Sequence, residues 1–354
     1  MFMIFIEILL SKHYNLFQMK KLSVGIFLFH SLFFYAQRNN DAAVFSDITE
    51  KVKTHYVDKE AYKKADSLFQ SESKNKDFTQ LNNKDFAAFL TQKLRTVIKD
   101  KHFFIKYLEN YTPDKPIDEK ESEKSNNFHN SLENFGFEQV QRLEGNIGYI
   151  NFKGFATVES SKKILAATMD FVANTNSLII DLRENGGGDN EMLLLFCSYF
   201  FDQKTELYTT YFRNTNRTVH NRTQSKVPGQ KYLNKKIYIL TSQKTFSAGE
   251  ALAYFLQHYQ LAEIIGEKTG GAANPVQNFI IQNQYLLLVP AGKITASATH
   301  KNWEHTGVIP DQEVKAEHAL QTAHATALKN ILQTNTKTEL SIPEIKNLIN
   351  TLEQ

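Results

Sequence analysis

The sequence predicts an α/β fold, a β-sheet with crossover helices, preceded by a small helical N-terminal domain. Three observations carry this. From 143 to 317, short apolar runs alternate with amphipathic stretches, the pattern of strands joined by right-handed helical crossovers. Residues 37–105 instead show apolar positions at helical spacing only. The chain is 354 residues long with 42% hydrophobic and 22% charged residues, enough to bury a sizeable core.

Taken in order, Met19-Lys20-Lys21 opens a basic segment that runs into the apolar stretch LSVGIFLFHSLFFYA, ending at Ala36. A basic region, an apolar region and a small residue are the parts of a secretory signal peptide, here spanning 1–36. The residues before Met19 fit no such leader, so Met19 is expected to be the true start. The apolar run is short for a membrane span of roughly 20 residues. A membrane anchor is the competing reading. Cleavage would leave an exported protein, periplasmic or secreted, with no stable membrane span. The single cysteine, Cys197, lies in the apolar run MLLLFCSYFF and has no partner in the chain. Export without disulfides fits a bacterial envelope.

The segment NKDFAAFLTQKLRTVI sets Phe86, Phe89, Leu90, Leu94, Val97 and Ile98 at helical spacing, with Asn82 or Asn83 as N-cap. DKHFFIKY (100–107) breaks that pattern. A charged linker leading into the core follows at 106–142, containing TPDKPIDEKESEKSNN. In the core, 143–317, NIGYINF reads as a strand and SSKKILAATMDFV as a helix. SLIIDLR is a buried strand ending in glycines, and NEMLLLFCSYFF a buried helix. KIYILTS is another strand, and AGEALAYFLQHY a helix with Leu252, Phe255, Leu256 and Tyr259 on one face. NFIIQNQYLLLVP predicts a hairpin turning at Asn283-Gln284. The tail, 318–354, is helical, with Pro343 opening its last segment.

A net charge of +3 argues against a nucleic-acid partner or an anionic membrane surface. The histidines show no metal-ligand spacing, so no metal and no cofactor is expected.

Four stretches could carry chemistry. SQKTFSAGE (242–250) places Ser247 at a strand-to-helix junction. There it could act as a nucleophile beside helix N–H groups, or simply cap the helix in a capping box with Glu250. IIDLRENGGGDN holds Gly186, Gly187 and Gly188, whose bare backbone suits an oxyanion hole or a plain loop. No Gly-Lys-Ser/Thr follows, which excludes a phosphate loop. GEKTGGAANP (266–275) is a second glycine loop, with Lys268 read as an exposed lysine. HKNWEHTGVIPD (300–311) holds the one tryptophan, Trp303, with Glu304 and His305. Asp181, Arg183, Pro310 and Asp311 read as loop-holding residues.

In this order and spacing, IIDLRENGGG, TFSAGE, IIGEKTGGAANP and NWEHTGVIPD resemble the tail-specific, or C-terminal processing, family of serine peptidases over about 143–317. The resemblance implies a ClpP/crotonase-like core, with Ser247 as nucleophile and Ala248 with Gly187 or Gly188 as oxyanion donors. Members with a Ser-Lys dyad carry their lysine at the position of Ala272 here, and a PDZ domain for which 106–142 is too short. The closer likeness is to the branch of tricorn protease and the interphotoreceptor retinoid-binding protein. That branch implies His102, in DKHFFI, as base and Glu304 as the acid that orients it, with His300 and His305 as rivals for the base. The implied activity is an exported serine peptidase acting on peptides or unfolded protein segments. A binding protein for apolar ligands on the same fold is the alternative. An acyl-CoA enzyme of crotonase type is disfavoured by the leader.

Overall fold

A computed structural model describes residues 41–72, 78, 80–109, 111 and 130–354. The signal-peptide segment 1–36, and the part of the charged linker at 112–129, lie outside the described residues. Among the described residues three helices come first: α1 (Asp41–His55), α2 (Lys59–Glu72) and α3 (Asn83–Ile98). Asn82 caps α3, its side chain accepting the Asp85 N–H at 2.9 Å. Lys99 ends the helix in the left-handed conformation (φ 64°). That reversal turns the chain sharply into Asp100-Lys101-His102 and then the short strand β1 (Phe104–Tyr107).

The core follows as β2 (Phe137–Leu143), β3 (Ile147–Phe152), α4 (Val158–Val172), β4 (Ser177–Asp181), α5 (Asn190–Ser198), β5 (Glu206–Phe212), β6 (Arg217–Arg222), β7 (Lys236–Thr241), α6 (Ala248–His258) and β8 (Ala262–Gly266). Next come β9 (Val276–Ile281), β10 (Tyr285–Pro290), β11 (Gly292–Ala296), β12 (Gln312–Glu313), α7 (Ala319–Thr334) and α8 (Ile342–Leu352). The main sheet has the order β12-β8-β7-β4-β3-β2, with only the β2–β3 pair antiparallel. Its central strands are covered on both faces, which is why SLIID and KIYIL are nearly unbroken apolar runs. Leu165, Met169, Phe196 and Leu252, from α4, α5 and α6, fill one side. The predicted helical tail fills the other, where Leu328, Ile331 and Ile349 meet Ile179, Tyr238 and Leu240. Cys197 is buried as a small hydrophobe.

Two small antiparallel sheets flank this layer, β11-β5-β6 and β1-β10-β9. The second contains the expected hairpin. Its turn lies a residue earlier than the sequence suggested: Gln282 and Asn283 take the positive φ values and Gln284 N–H closes on Ile281 O at 3.0 Å. Leu287 and Val289 of this hairpin pack with Ile48, Leu90, Leu94 and Phe103, not with the main sheet. The N-terminal helices therefore share a second hydrophobic core with a hairpin drawn from far down the chain. His102 lies on one side of that seam and Ser247 on the other.

Candidate active site

Ser247 stands between β7 and α6, as the sequence predicts. The turn before it is tied to the end of β4: Thr245 Oγ1 donates to Leu182 O (2.7 Å) and Ser242 Oγ to Arg183 O (2.5 Å). Ser247 has φ 53° and ψ −117°, far from the extended backbone of an ordinary N-cap. A non-glycine residue there stores about 1–3 kcal/mol of strain. The neighbours that hold it are Phe246 N–H on Asn185 O (2.9 Å) and Ser247 N–H on a Glu250 carboxylate oxygen (2.9 Å).

The triple-glycine loop lies directly against this serine. A Cβ added to Gly187 would sit 2.7 Å from Ser247 Cβ and 3.0 Å from Ala248 N, at φ +93°. Only glycine lets the loop approach so closely. Asn185, fully buried, fixes the loop: its Nδ2 donates to Phe152 O and its Oδ1 accepts the Gly187 N–H, both at 2.9 Å. Gly249 leaves room for that asparagine, since a Cβ there would meet Asn185 Oδ1 at 2.6 Å.

Glu250 does more than close a capping box. It is fully buried and also accepts from Thr269 Oγ1 (2.5 Å), Gly271 N–H (2.6 Å) and Ala272 N–H (2.9 Å). Burial raises its pKa, and these donors oppose the rise. The next two amides of the loop, Ala273 N–H (2.7 Å) and Asn274 N–H (3.1 Å), donate to Glu304 Oε2. Four consecutive amides thus serve two carboxylates, one beneath Ser247 and one at the far side of the site. Ala272 is fully buried, and its carbonyl accepts from Trp303 Nε1 (3.1 Å). Lys268 is exposed.

His102 arrives from the end of α3. Its ring meets the Phe246 ring edge-to-face, centroids 4.9 Å apart, one residue before Ser247. Asp100, His102 and Glu304 each place a donor atom within 4.8 Å of the other two. His102 Nδ1 is 4.0 Å from Asp100 Oδ1. Burial, with the charge of Arg95 adding to it, lowers the His102 pKa to about 4, so the resting imidazole is neutral. Burial raises Glu304 to about 7, with the negative charge of Asp100 adding to it. His102 Nδ1 and Glu304 Oε1 are both buried without a hydrogen-bond partner.

The predicted residues Ser247, Ala248, Gly187 and Gly188 are therefore gathered at one junction, and His102 and Glu304 at one cluster beside it. His300 is exposed on the β11 side. His305 is exposed as well, with Nδ1 3.5 Å from Glu304 Oε1. The sequence reading gave no role to Asp100, although it stands two residues before His102 in DKHFFI. It also missed Asn274, whose Nδ2 donates to Asp100 Oδ2 (3.3 Å), and Tyr56, whose hydroxyl reaches Asp100. The expectation of no metal site rested on spacing along the chain, and folding assembles what spacing does not: two carboxylates and an imidazole. Most of their acceptor capacity is already taken by N–H donors. Of the buried side-chain atoms of these three residues, His102 Nδ1 and Glu304 Oε1 have no hydrogen-bond partner.

Asp181 and Arg183 hold loops as expected, in a bidentate pair at 2.9 and 2.6 Å, with Arg183 Nη1 also on Ala316 O. Asp311 accepts from Gln257 Nε2 and Ile264 N–H. Among the described residues, no helix is long and apolar enough to cross a membrane.

Comparison with known proteins agrees with this architecture. Residues 146–314 match the sequence profile of peptidase family S41. The carboxyl-terminal-processing protease of Picosynechococcus sp. is 28% identical over 176 residues, 48% of this chain and 40% of that one. Its namesake from Synechocystis sp. is 27% identical over 174 residues, 48% of this chain and 38% of that one. The match thus spans about two fifths of the length of these relatives. Among solved structures, a lipoprotein from Streptococcus agalactiae shares the fold at 16% identity and a TM-score of 0.52, over 81% of this chain and 95% of that one. A Parabacteroides merdae protein does so at 18% identity and 0.52, over 78% and 89%.

Proposed function

We propose that this chain, whose residues 146–314 match the profile of peptidase family S41, is an exported serine peptidase that cuts peptides or unfolded protein segments through an acyl-enzyme. The observation that carries this reading is the strained Ser247 at a helix N-terminus, with Gly187 pressed against its Cβ. A capping serine needs neither the strain nor the close glycine. Export rests on the leader-like segment 1–36.

In this mechanism Ser247 Oγ attacks the scissile carbonyl while neutral His102 takes its proton. The imidazolium that results is stabilised by the carboxylates behind it, with Glu304 as orienter. The tetrahedral oxyanion is held by backbone N–H groups, each worth about 3 kcal/mol. The Gly187 amide is already engaged by Asn185 Oδ1, so we assign Gly188 and Ala248 as donors. His102 then hands its proton to the leaving amine, and water repeats the cycle on the ester. The gap between His102 Nδ1 and its carboxylates closes as substrate docks, as catalytic contacts commonly do. His305 is half in solvent, with Nδ1 3.5 Å from Glu304 Oε1, whereas His102 is mostly buried.

Labelling with a fluorophosphonate probe tests the reading. The folded wild type takes one label, Ser247→Ala takes none, and a chelator changes neither result. A folded wild type that takes no label would refute it and favour a ligand-binding role.

A further inference from the structure

We propose that Asp100 is a positioning residue of the site, a second carboxylate that works with Glu304 to orient His102 and to balance the charge it acquires. This rests on the peptidase reading of His102 and deepens it.

The geometry carries the inference. Of the two carboxylates, only Asp100 has an oxygen as near as 4.0 Å to His102 Nδ1, the ring nitrogen left without a partner. The same oxygen, Oδ1, accepts the backbone N–H of His102 at 3.0 Å, so Asp100 fixes the peptide that carries the ring. Its other oxygen accepts from buried Asn274 Nδ2, and that asparagine's own amide is bound to Glu304. Asp100 is completely buried.

A purely structural role would not need the charge. An asparagine would accept the His102 N–H equally well, without a buried negative group lying within 4.8 Å of Glu304. Two carboxylates in one dry pocket repel each other, which is costly while His102 stays neutral. The arrangement becomes favourable when a positive charge forms between them, as it does on the imidazole once the serine proton is taken. Burial raises the Asp100 pKa, and donation from His102 N–H and Asn274 Nδ2 opposes that rise. The groups facing His102 and its carboxylates are Tyr56 just past the end of α1, Arg95 from α3, Asp100, Glu250 from α6, Asn274, Glu304 and His305. Arg95 donates to Phe103 O at 2.7 Å and pairs with neither carboxylate.

The test compares Asp100→Asn and Asp100→Glu with wild type, reading kcat, KM, the pH profile and the His102 titration by ¹⁵N NMR. Asp100→Asn keeps the acceptor for His102 N–H and removes the charge. It is expected to leave KM within about twofold and to lower kcat by at least about tenfold. The acid limb of the profile and the NMR titration of His102 should both move to lower pH. Asp100→Glu keeps the charge and restores part of kcat. It also supplies the reading if the asparagine variant does not fold. An Asp100→Asn protein with wild-type kcat and an unmoved His102 titration would overturn the proposal. The NMR arm needs no turnover, so a wild type that takes no fluorophosphonate label would sink the peptidase reading while leaving the Asp100–His102 coupling to be judged on its own.

Discussion

Replacing Gly187 with alanine puts the proposed nucleophile under a defined mechanical load. The new Cβ would stand 2.7 Å from Ser247 Cβ, against 3.4 Å or more for an ordinary contact, so the two strands of chain must part by about 0.7 Å. The backbone at φ +93° adds about 1–3 kcal/mol of strain for any residue with a side chain. Ser247 cannot simply retreat, because its own N–H is held by Glu250 and its carbonyl by Ala251 N–H. A displacement approaching 1 Å costs on the order of a hundredfold in rate. The expected outcome is a fluorophosphonate labelling rate about 10- to 100-fold below wild type, with a modest drop in melting temperature. Gly186→Ala is the matched control: nothing lies within 4 Å of a Cβ there and its φ is not positive. It should label and melt like wild type. A Gly187→Ala protein that labels at the wild-type rate would mean that the glycine loop does not buttress Ser247.

For the base, His102→Ala should abolish labelling, whereas His300→Ala and His305→Ala should retain it; the reverse pattern would move the base to the Glu304 loop. Glu304→Gln should gain melting temperature relative to wild type as pH rises from 5 to 8. Glu304 holds its proton up to about 7 in the folded chain, against an ordinary value of 4.5, so its contribution to stability is lost on the way up. The His102 contribution runs the other way, stability rising with pH between about 4 and 6.5, because the unfolded chain binds the proton more readily. A Glu304→Gln melting temperature that falls relative to wild type as pH rises would contradict the burial of Glu304.

The central sheet is legible in the sequence because strands buried on both faces must be apolar throughout, as SLIID and KIYIL are. The strands ELYTTYF and RTVHNR of the flanking sheet are half-exposed, and the polar residues of the second hide its alternation. The hairpin at 276–290 is legible as a hairpin, but not its choice of partner, since any apolar face could take it. Within the site, Ser247 announces itself through local constraints: a junction, small neighbours and a glutamate three residues on. Asp100 does not. It reads as a loop aspartate until Asn274, 174 positions away, and Glu304 close around it. Glu250 is similar, because its cap role is local while three of its four donors come from 19 to 22 positions further on.

The seam between the two hydrophobic cores has a consequence for the order of events in synthesis. His102 precedes Phe103 of the core that the helices share with the hairpin, the hairpin follows Ser247 in the chain, and Glu304 follows later still. A growing chain therefore carries its nucleophile well before the base can be seated against it. Under the proposed assignment, a nascent or partly folded copy is chemically silent. On that assignment the site is complete only after the hairpin has docked on the helices and the Glu304 loop has closed beside His102.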